Sequence, residues 1–442
     1  MMRILLVQTL SMEEASPERV YPIGIVRLAE RLVDHGHIVS LLDMNMAGDP
    51  FGSLKDRLLD FQPELVGVSL RNIDPLGNRT NSLIPPFVVT VRMVAALSAQ
   101  AWIVAGGTGF SLFPERVMQE LPEIDYGIAG EAESSFPALV FSLGNQPRRK
   151  GSPLDGRPGS RLIPPSIEPD FGRRPPPARR LLDPSPYQGI NGYVPSVGIE
   201  SKRGCPYRCV YCVYPGLQGS RLRCRAPASV VDEMETLEKE FSVSRFHFTD
   251  PVLNIPDDHL EEICREILRR KLKVRWSGFI REDHLNEKNV ILFEKAGCEC
   301  FFLSADGLCQ EALDILDKGL SESHVLRAAS LCAASDVVCV YHFMVNVPGE
   351  TQKTVSKGMS FLDRLYDLHG NKKNLGTIVL NNIRILPGTA MEKIARRQGV
   401  IGPDTDLLYP VYYNPKPFDT LRYQMQTRHL QQNVFMWHEV KG

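Results

Sequence analysis

The sequence predicts an α/β protein in two parts, a doubly wound, Rossmann-like parallel sheet followed by a partial (β/α) barrel and a short C-terminal extension. Three observations carry this expectation. Over the first ~145 residues, apolar strand-like runs alternate with stretches of helical periodicity. A connector rich in Pro, Arg and Gly follows, from about Gln146 to Tyr187, and from Gly198 the alternation resumes. The boundaries are set at 1–145, 146–190, 191–389 and 390–442.

The elements come in order. Arg3 to Val7 is a buried-strand run, Gly24 to His35 an amphipathic helix, and Ile38 to Asp43, Leu65 to Leu70 and Trp102 to Gly107 are further strands with a helix between each pair. This rhythm makes a parallel sheet, and ligands of such sheets sit beyond the carboxyl ends of the strands. Asn45, Arg71 to Asp74, Gly106 to Gly109 and Gly130 to Glu133 occupy those positions. The connector, with Arg173-Arg-Pro-Pro-Pro-Ala-Arg-Arg180, suits an extended chain and cannot build a core. In the second part, Arg245 to Asp250, Val274 to Phe279, Cys300 to Ser304, Val338 to Val345 and Thr377 to Leu380 read as strands separated by helices. A barrel of this kind keeps its chemistry at the carboxyl ends of its strands. The tail has aromatic clusters (Leu408 to Tyr413, Phe435 to Trp437) and no chemical motif.

With 442 residues, 43% hydrophobic and 23% charged, the chain has the composition of an ordinary globular protein of two or three domains. Lys+Arg 51 against Asp+Glu 52 leaves no global charge that would favour nucleic acid or an anionic membrane. The apolar start, Met1 to Gln8, is too short for a signal peptide or a membrane span, so a cytoplasmic protein is expected. Ten cysteines in that setting argue for metal before disulfides.

Three of the ten form the most informative run, Ser201-Lys-Arg-Gly-Cys-Pro-Tyr-Arg-Cys-Val-Tyr-Cys-Val-Tyr-Pro215. Cys205, Cys209 and Cys212 could hold three irons of a four-iron cubane through soft sulfur and leave the fourth iron open. The alternative is a three-cysteine zinc site with a distant fourth ligand, or reduced structural thiols. Zinc sites usually bring paired knuckles, and Cys298-Glu-Cys300 is too close to be the second one.

The Cys-x3-Cys-x2-Cys spacing, with Tyr211 just before the third cysteine, resembles the radical S-adenosylmethionine (SAM) enzymes. The N-terminal third resembles the cobalamin-binding domain that precedes the barrel in one branch of them, through Tyr21 to Ala29, Gly36 to Asn45, Ala105-Gly-Gly-Thr108 and Gly127 to Glu133. The barrel half adds Phe248 to Asn254, Leu303 to Gly307, Asp317-Lys-Gly319, Val347 to Thr351 and Leu386 to Thr389, in the family's order. The Asp-x-His-x-x-Gly loop of many cobalamin proteins is missing. Ser69-Leu-Arg-Asn-Ile-Asp74 stands in its place and resembles the class B radical SAM methyltransferases in which an arginine lies beneath the corrin without ligating cobalt.

The resemblance implies a partial (β/α)6 TIM-type barrel, a [4Fe–4S] cluster, SAM and cobalamin. It implies a methyltransferase acting on an unactivated carbon of a small molecule; the same cofactors also serve oxidative cyclases and ring-rearranging enzymes, and a non-enzymatic corrin sensor is a third reading. By the same resemblance Tyr211, Thr249, Asp250, Ser304, Asp306 and Asn346 contact SAM. Ser69, Arg71, Asn72, Gly106, Gly107, Thr108, Gly130 and Glu131 line the cobalamin site. Arg71, Tyr341 and His342 are the catalytic candidates, with Trp276 and Arg281 near strand ends as further possibilities for substrate. Arg71 could instead simply pair with Asp74, and His342 could be a satisfied core residue. The expected partners are a small-molecule substrate and a flavodoxin- or ferredoxin-type electron donor, with no nucleic acid and no membrane span.

Overall fold

The computed structural model describes residues 1–11, 19–75, 77–144, 161–168, 171–173, 179–189, 194–432 and 434. The proline-rich run 174–178 and the terminal cluster 435–437 lie outside them. The chain divides into two compact units, residues 1–192 with 408–410, and residues 193–407 with 411–442.

The first unit is built on β1 (Arg3–Gln8), β2 (Ile38–Asp43), β3 (Leu65–Ser69), β4 (Trp102–Gly106), β5 (Tyr126–Gly130) and β6 (Leu162–Ser166), all parallel and ordered β2-β1-β3-β4-β5-β6. The helices are α1 (Ile23–Asp34), α2 (Pro50–Phe61), α3 (Ile84–Leu97), α4 (Thr108–Leu112), α5 (Pro114–Glu120) and α6 (Ser135–Leu143). Ile4, Leu5, Leu6 and Val7 are all buried, as a central strand covered on both faces requires. The helix α1 lays Ile25, Val26, Ala29 and Leu32 against the sheet. The strand order reverses between β1 and β3, so the crevice beyond their carboxyl ends is the natural ligand position.

The connector departs from expectation. Part of it, β6, extends the sheet, and Pro164 and Pro165 are tolerated because this is an edge strand with one side of its ladder unpaired. Further on, Tyr187 packs edge-on against Tyr21 at 5.2 Å, and Arg179 lies over the same ring at 5.2 Å. The aromatic and cationic side chains of the connector find partners on the first unit that its composition did not suggest.

The second unit has β7 (Gly198–Ile199), a two-stranded ribbon β8 (Lys202–Arg203) with β9 (Arg223–Cys224), then β10 (Arg245–Phe248), β11 (Arg275–Ile280), β12 (Cys298–Asp306), β13 (Val338–Met344) and β14 (Leu375–Asn381). A second ribbon pairs β15 (Ile383–Arg384) with β16 (Tyr412–Tyr413). The large sheet runs β7-β10-β11-β12-β13-β14, six strands, all parallel, the partial (β/α)6 barrel. Its helices are α7 (Tyr214–Gln218), α8 (Pro227–Phe241), α9 (Asp257–Arg270), α10 (Glu287–Lys295), α11 (Gln310–Ile315), α12 (Glu322–Ala333), α13 (Gln352–His369), α14 (Ala390–Arg397) and α15 (Leu421–Leu430). Capping boxes at Asn286, Ser321 and Thr351 start α10, α12 and α13 where the strand-to-helix loops end. Among the described residues no helix is long and apolar enough to cross a membrane.

Candidate active site and cofactor cradles

The cysteine loop leaves the ribbon strand β8 through Gly204, whose φ of 88° and approach to Arg221 exclude a side chain: a Cβ there would sit 2.2 Å from the Arg221 carbonyl oxygen. Below it, Asp250 anchors the loop's root. Its Oδ1 accepts from the Ser201 N–H at 2.8 Å and the Lys202 N–H at 3.1 Å, and its Oδ2 accepts from the Ser201 hydroxyl. The Cys205 N–H donates to Gly219, Cys212 to Cys209, and Val210 to Leu316, which fixes all three cysteines on backbone bonds. The thiols are unpaired with one another; Cys205 is buried, Cys209 and Cys212 partly exposed. Burial pushes the Cys212 thiol up to about 12 and raises Cys205 too, with the neighbouring Cys209 adding to both. Among the described residues no three His, Cys, Asp or Glu side chains converge on a point one ion could fill.

The strand ends beside this loop carry a connected polar group. Tyr211 donates its hydroxyl hydrogen to Asp306, Lys318 Nζ reaches Asp306 Oδ2 at 2.8 Å and the Tyr211 oxygen at 3.3 Å. Burial works against the charge on Lys318, and Asp306, Cys209 and Glu282 together more than offset it, so the ammonium is held. The Arg281 guanidinium stacks 3.7 Å over Tyr207 and donates to the Lys318 carbonyl at 2.7 Å. Next to it, Glu282 is 1% exposed, and neither carboxylate oxygen has a hydrogen-bond partner. Burial lifts its pKa to about 7, against the pull of Lys318. Sequence reasoning passed over Glu282, Tyr207 and the role of Lys318, and only the Asp317-Lys-Gly319 motif hinted at the last.

Several expected residues serve other ends. Asp250 was expected at SAM, but its oxygens are taken by the loop root. Asn346 spends its amide donors on Asn414 (2.7 Å) and the Pro415 carbonyl (2.8 Å), tying down the C-terminal segment. Tyr341 was a catalytic candidate. It points away from the concave face, because adjacent strand residues alternate: its hydroxyl meets His369 Nε2 at 2.7 Å and its ring lies parallel to that of Phe343. Trp276 likewise faces the helices, bonded to the Ala296 carbonyl at 3.0 Å. Thr249 and Ser304 stay accessible at their strand ends, and His342 is on the concave face.

In the first unit the switch point is a polar cradle. The Gln8 amide donates to the Thr9 carbonyl, Ser69 Oγ to Gln8, and Thr9 Oγ1 to the Ser69 carbonyl at 2.9 Å. Asn45 bridges Asp43, Thr9 and Ser11, while Tyr187 donates to Asp43 Oδ2 at 2.7 Å. Burial raises the Asp43 carboxyl; the hydrogen bonds from Asn45 and Tyr187 oppose that, and the Arg71 charge adds a smaller pull in the same direction. The loop bearing Arg71 and Asn72 is fixed because the N–H groups of Gly109 and Phe110, in α4, bond to Leu70 and Arg71 carbonyls. Gly107 must be glycine: its φ is 101°, and a Cβ would lie 2.6 Å from the Leu70 oxygen. Thr108 is exposed at this edge, Gly106 half-buried. Gly130 takes a bond from its N–H to Ser111, and Glu131 turns aside to the Glu168 N–H at 2.7 Å. The histidines of this unit, His35 and His37, sit before β2, at the opposite end of the strands.

The radical SAM superfamily model matches residues 199–362, and the B12 binding domain model matches residues 14–140. This is a cobalamin-binding radical SAM protein. An uncharacterized methyltransferase of Pyrococcus horikoshii is 24% identical over 374 residues, 82% of this chain and 78% of that relative. The tryptophan 2-C-methyltransferase of Streptomyces laurentii is 24% identical over 444 residues, 86% of this chain and 72% of its own length. Among solved structures, the radical SAM methyltransferase TsrM from Kitasatospora setae, with cobalamin and a [4Fe–4S] cluster bound, superposes with a TM-score of 0.71 at 24% identity, over 90% of this chain and 78% of that one. That likeness shows the fold.

The residues present fit the cofactors of a cobalamin-binding radical SAM protein, which are a [4Fe–4S] cluster, SAM and cobalamin. Three unpaired thiols spread around one loop suit separate irons of a cluster, and cysteine sulfur is the donor such iron prefers. At the Gly106–Gly107 edge a Cβ on Gly107 would collide with the Leu70 backbone, so glycine lets the turn after β4 pack tightly against the loop after β3, at the switch point where a large ligand of such a sheet sits.

Proposed function

We propose that the protein is a methyltransferase that places a methyl group from SAM on an unactivated carbon of a small-molecule substrate. One observation carries the reading above the others: Arg71 lies in the loop that follows β3 at the switch point, near enough for its charge to act on Asp43, in the loop where a cobalt-ligating histidine would otherwise be offered. Relatives named as methyltransferases that span more than four-fifths of the chain support it.

When bound, the cluster, SAM and cobalamin supply the electron, the methyl group and its carrier, chemistry that side chains cannot provide. The chain does the rest. Cys205, Cys209 and Cys212 would hold the iron, and Asp250 keeps their loop in register. Loading costs the protons of raised thiols, so binding is favoured by higher pH. Arg71, always protonated and without a lone pair, would cover the lower face of the corrin and give cobalt no ligand. Ser69, Asn72, Gly106, Gly107 and Thr108 frame that cradle. On the barrel, Asp306 fixes the charge of Lys318 and the hydroxyl of Tyr211, while Thr249 and Ser304 remain available to SAM. An electron donor of the flavodoxin or ferredoxin type belongs to the same reading.

The test is anaerobic incubation of the reconstituted protein with SAM bearing a deuterated methyl group and a small-molecule extract of its own cells. A product carrying the deuterated methyl on carbon is expected. An unlabelled, dehydrogenated product would move the reading to an oxidative cyclase, and corrin binding with no product at all would move it to a sensor.

A further inference from the structure

The concave face of the barrel sheet holds a cluster of rings below the strand ends that were assigned to SAM. The helix-facing residues Phe248, Trp276, Ile280, Leu303, Tyr341 and Leu380 are buried, whereas the concave-facing His247, Phe279, Ser304, His342, Val379 and Asn381 keep solvent access. The sheet therefore curves around an open lumen. Four rings meet there: Phe279 and Phe302 lie 5.6 Å apart, His342 is 5.6 Å from Phe279 and 6.1 Å from Phe302, and His247 closes the group at 5.5 Å from Phe302. Cys300 and Val340 pack beneath them.

Charge is confined to the two rims of this face. At the amino-terminal rim Arg245 pairs with Glu299 at 2.8 Å, and at the carboxyl rim Asp306 pairs with Lys318 at 2.8 Å. Between them the strands present no charged side chain among the described residues, but rings, aliphatics, hydroxyls, a thiol and two imidazoles, with the Asn381 carboxamide and the Met344 thioether toward the carboxyl rim. His247 has Ser277 as partner at 2.9 Å. His342 differs: its Nε2 is shielded from solvent and has no hydrogen-bond partner, although the ring itself is partly exposed. A half-turn of that ring about Cβ–Cγ sets Nε2 where Cε1 stood and Nδ1 where Cδ2 stood, so the unpartnered Nε2 can be turned from one edge of the ring to the other to meet a ligand in the lumen. Burial lowers the His342 pKa to about 4, which leaves the imidazole neutral and able to accept a hydrogen bond.

We propose that this face binds the substrate of the enzyme through a neutral, planar aromatic or heteroaromatic ring bearing an N–H or O–H donor, with Phe279 and Phe302 against the ring and an imidazole nitrogen of His342 as the acceptor. The proposal rests on the methyltransferase reading for the word substrate, and on the lumen alone for the ligand class. An anionic ring is disfavoured because no cation lies between the rims to meet it. A saturated ring gives up the edge and face contacts that four aromatic side chains offer.

The probe is indole, which has one N–H donor and no competing in-plane acceptor, compared with 1-methylindole, which lacks the donor, and with naphthalene-2-carboxylate, which adds a negative charge. Binding to the full-length, cluster- and cobalamin-loaded protein is followed by ligand-observed nuclear magnetic resonance without turnover. Indole should bind at least about fivefold more tightly than 1-methylindole, the worth of one hydrogen bond in a dry site, and the carboxylate should bind most weakly. His342→Phe should bring the indole to 1-methylindole ratio to about one while leaving 1-methylindole unchanged, and His342→Asn, which keeps a polar group, should retain part of the preference. No indole binding, a ratio of one in the unaltered protein, a tighter carboxylate, or a ratio indifferent to both His342 variants would each overturn the proposal. Failure of the methyltransferase reading would instead appear as unlabelled product with the indole preference intact.

Discussion

Glu282 shows how a single buried group sets a pH dependence. Its carboxyl ordinarily titrates at 4.5 and in the fold at about 7, because burial penalises the charged form by more than Lys318, Arg281 and the local backbone N–H favour it. A raised acid binds its proton more tightly folded than unfolded. Its favourable contribution is therefore complete below pH 4.5 and is lost as pH rises through 7, a loss of about 3 kcal/mol at most. Glu282→Gln removes the ionisable proton. Iron-free protein carrying it should resist urea better than the parent at pH 8 and equally at pH 4, by denaturant titration at both values. Arg71 allows a second test at this scale. Arg71→Lys should preserve cobalamin binding, because the guanidinium blocks and does not ligate. Arg71→His should introduce a ligand, visible as nitrogen superhyperfine splitting in the electron paramagnetic resonance of cobalt(II). An unsplit spectrum in the His variant would remove the role of Arg71 beneath the corrin and leave it as a charged residue of the loop after β3.

At the scale of elements, the loop from Ser201 to Cys212 depends on one carboxylate from a neighbouring strand end. Burial raises the Asp250 carboxyl, and Lys202 with the Ser201 and Lys202 donors oppose this. Asp250→Ala would strand two N–H groups and a hydroxyl, costing about 2–4 kcal/mol. Iron content after anaerobic reconstitution should fall well below that of the parent while the helical circular dichroism signal persists. Much of this architecture could be read from sequence, because long apolar runs such as Leu65 to Leu70 and Val338 to Val345 carry their own signal. The two-residue ribbons β8–β9 and β15–β16 carry none, since their pairing depends on partners more than ten residues away. In the candidate site, spacing grouped Cys205, Cys209 and Cys212, and the fold keeps them unpaired on one loop. The site was less legible where orientation decides: Tyr341 and His342 are adjacent, and only strand pairing and helix packing determine that one faces α13 and the other the lumen. Asp250 had the right residue type at a strand end, yet the local loop engages both of its carboxylate oxygens. Glu282 gave no signal, since a glutamate after a strand reads as a solvated cap until its burial is seen.

At the scale of the whole molecule, each unit buries a core of its own, Ile4 to Val7 with Val66, Val68 and Ile103 in one, Phe246, Trp276, Phe301 and Tyr341 in the other. Chains of this kind depart from a single cooperative transition, because a sheet with its own covering helices can melt without the other. Iron-free protein should therefore unfold in two calorimetric transitions. A ligand that binds only folded protein stabilises the unit that holds it by mass action, by about 2.7 kcal/mol at one hundred times its dissociation constant. Cobalamin should accordingly raise one transition and leave the other where it was. The transition that moves is assigned through Gly107→Ala, which sets a Cβ against the Leu70 oxygen at 2.6 Å in a backbone conformation with φ of 101°. That substitution should lower the cobalamin-responsive transition and abolish its response. If Gly107→Ala lowers the unresponsive transition, or if cobalamin moves both together, the corrin cradle does not belong to the first sheet as a unit that folds by itself.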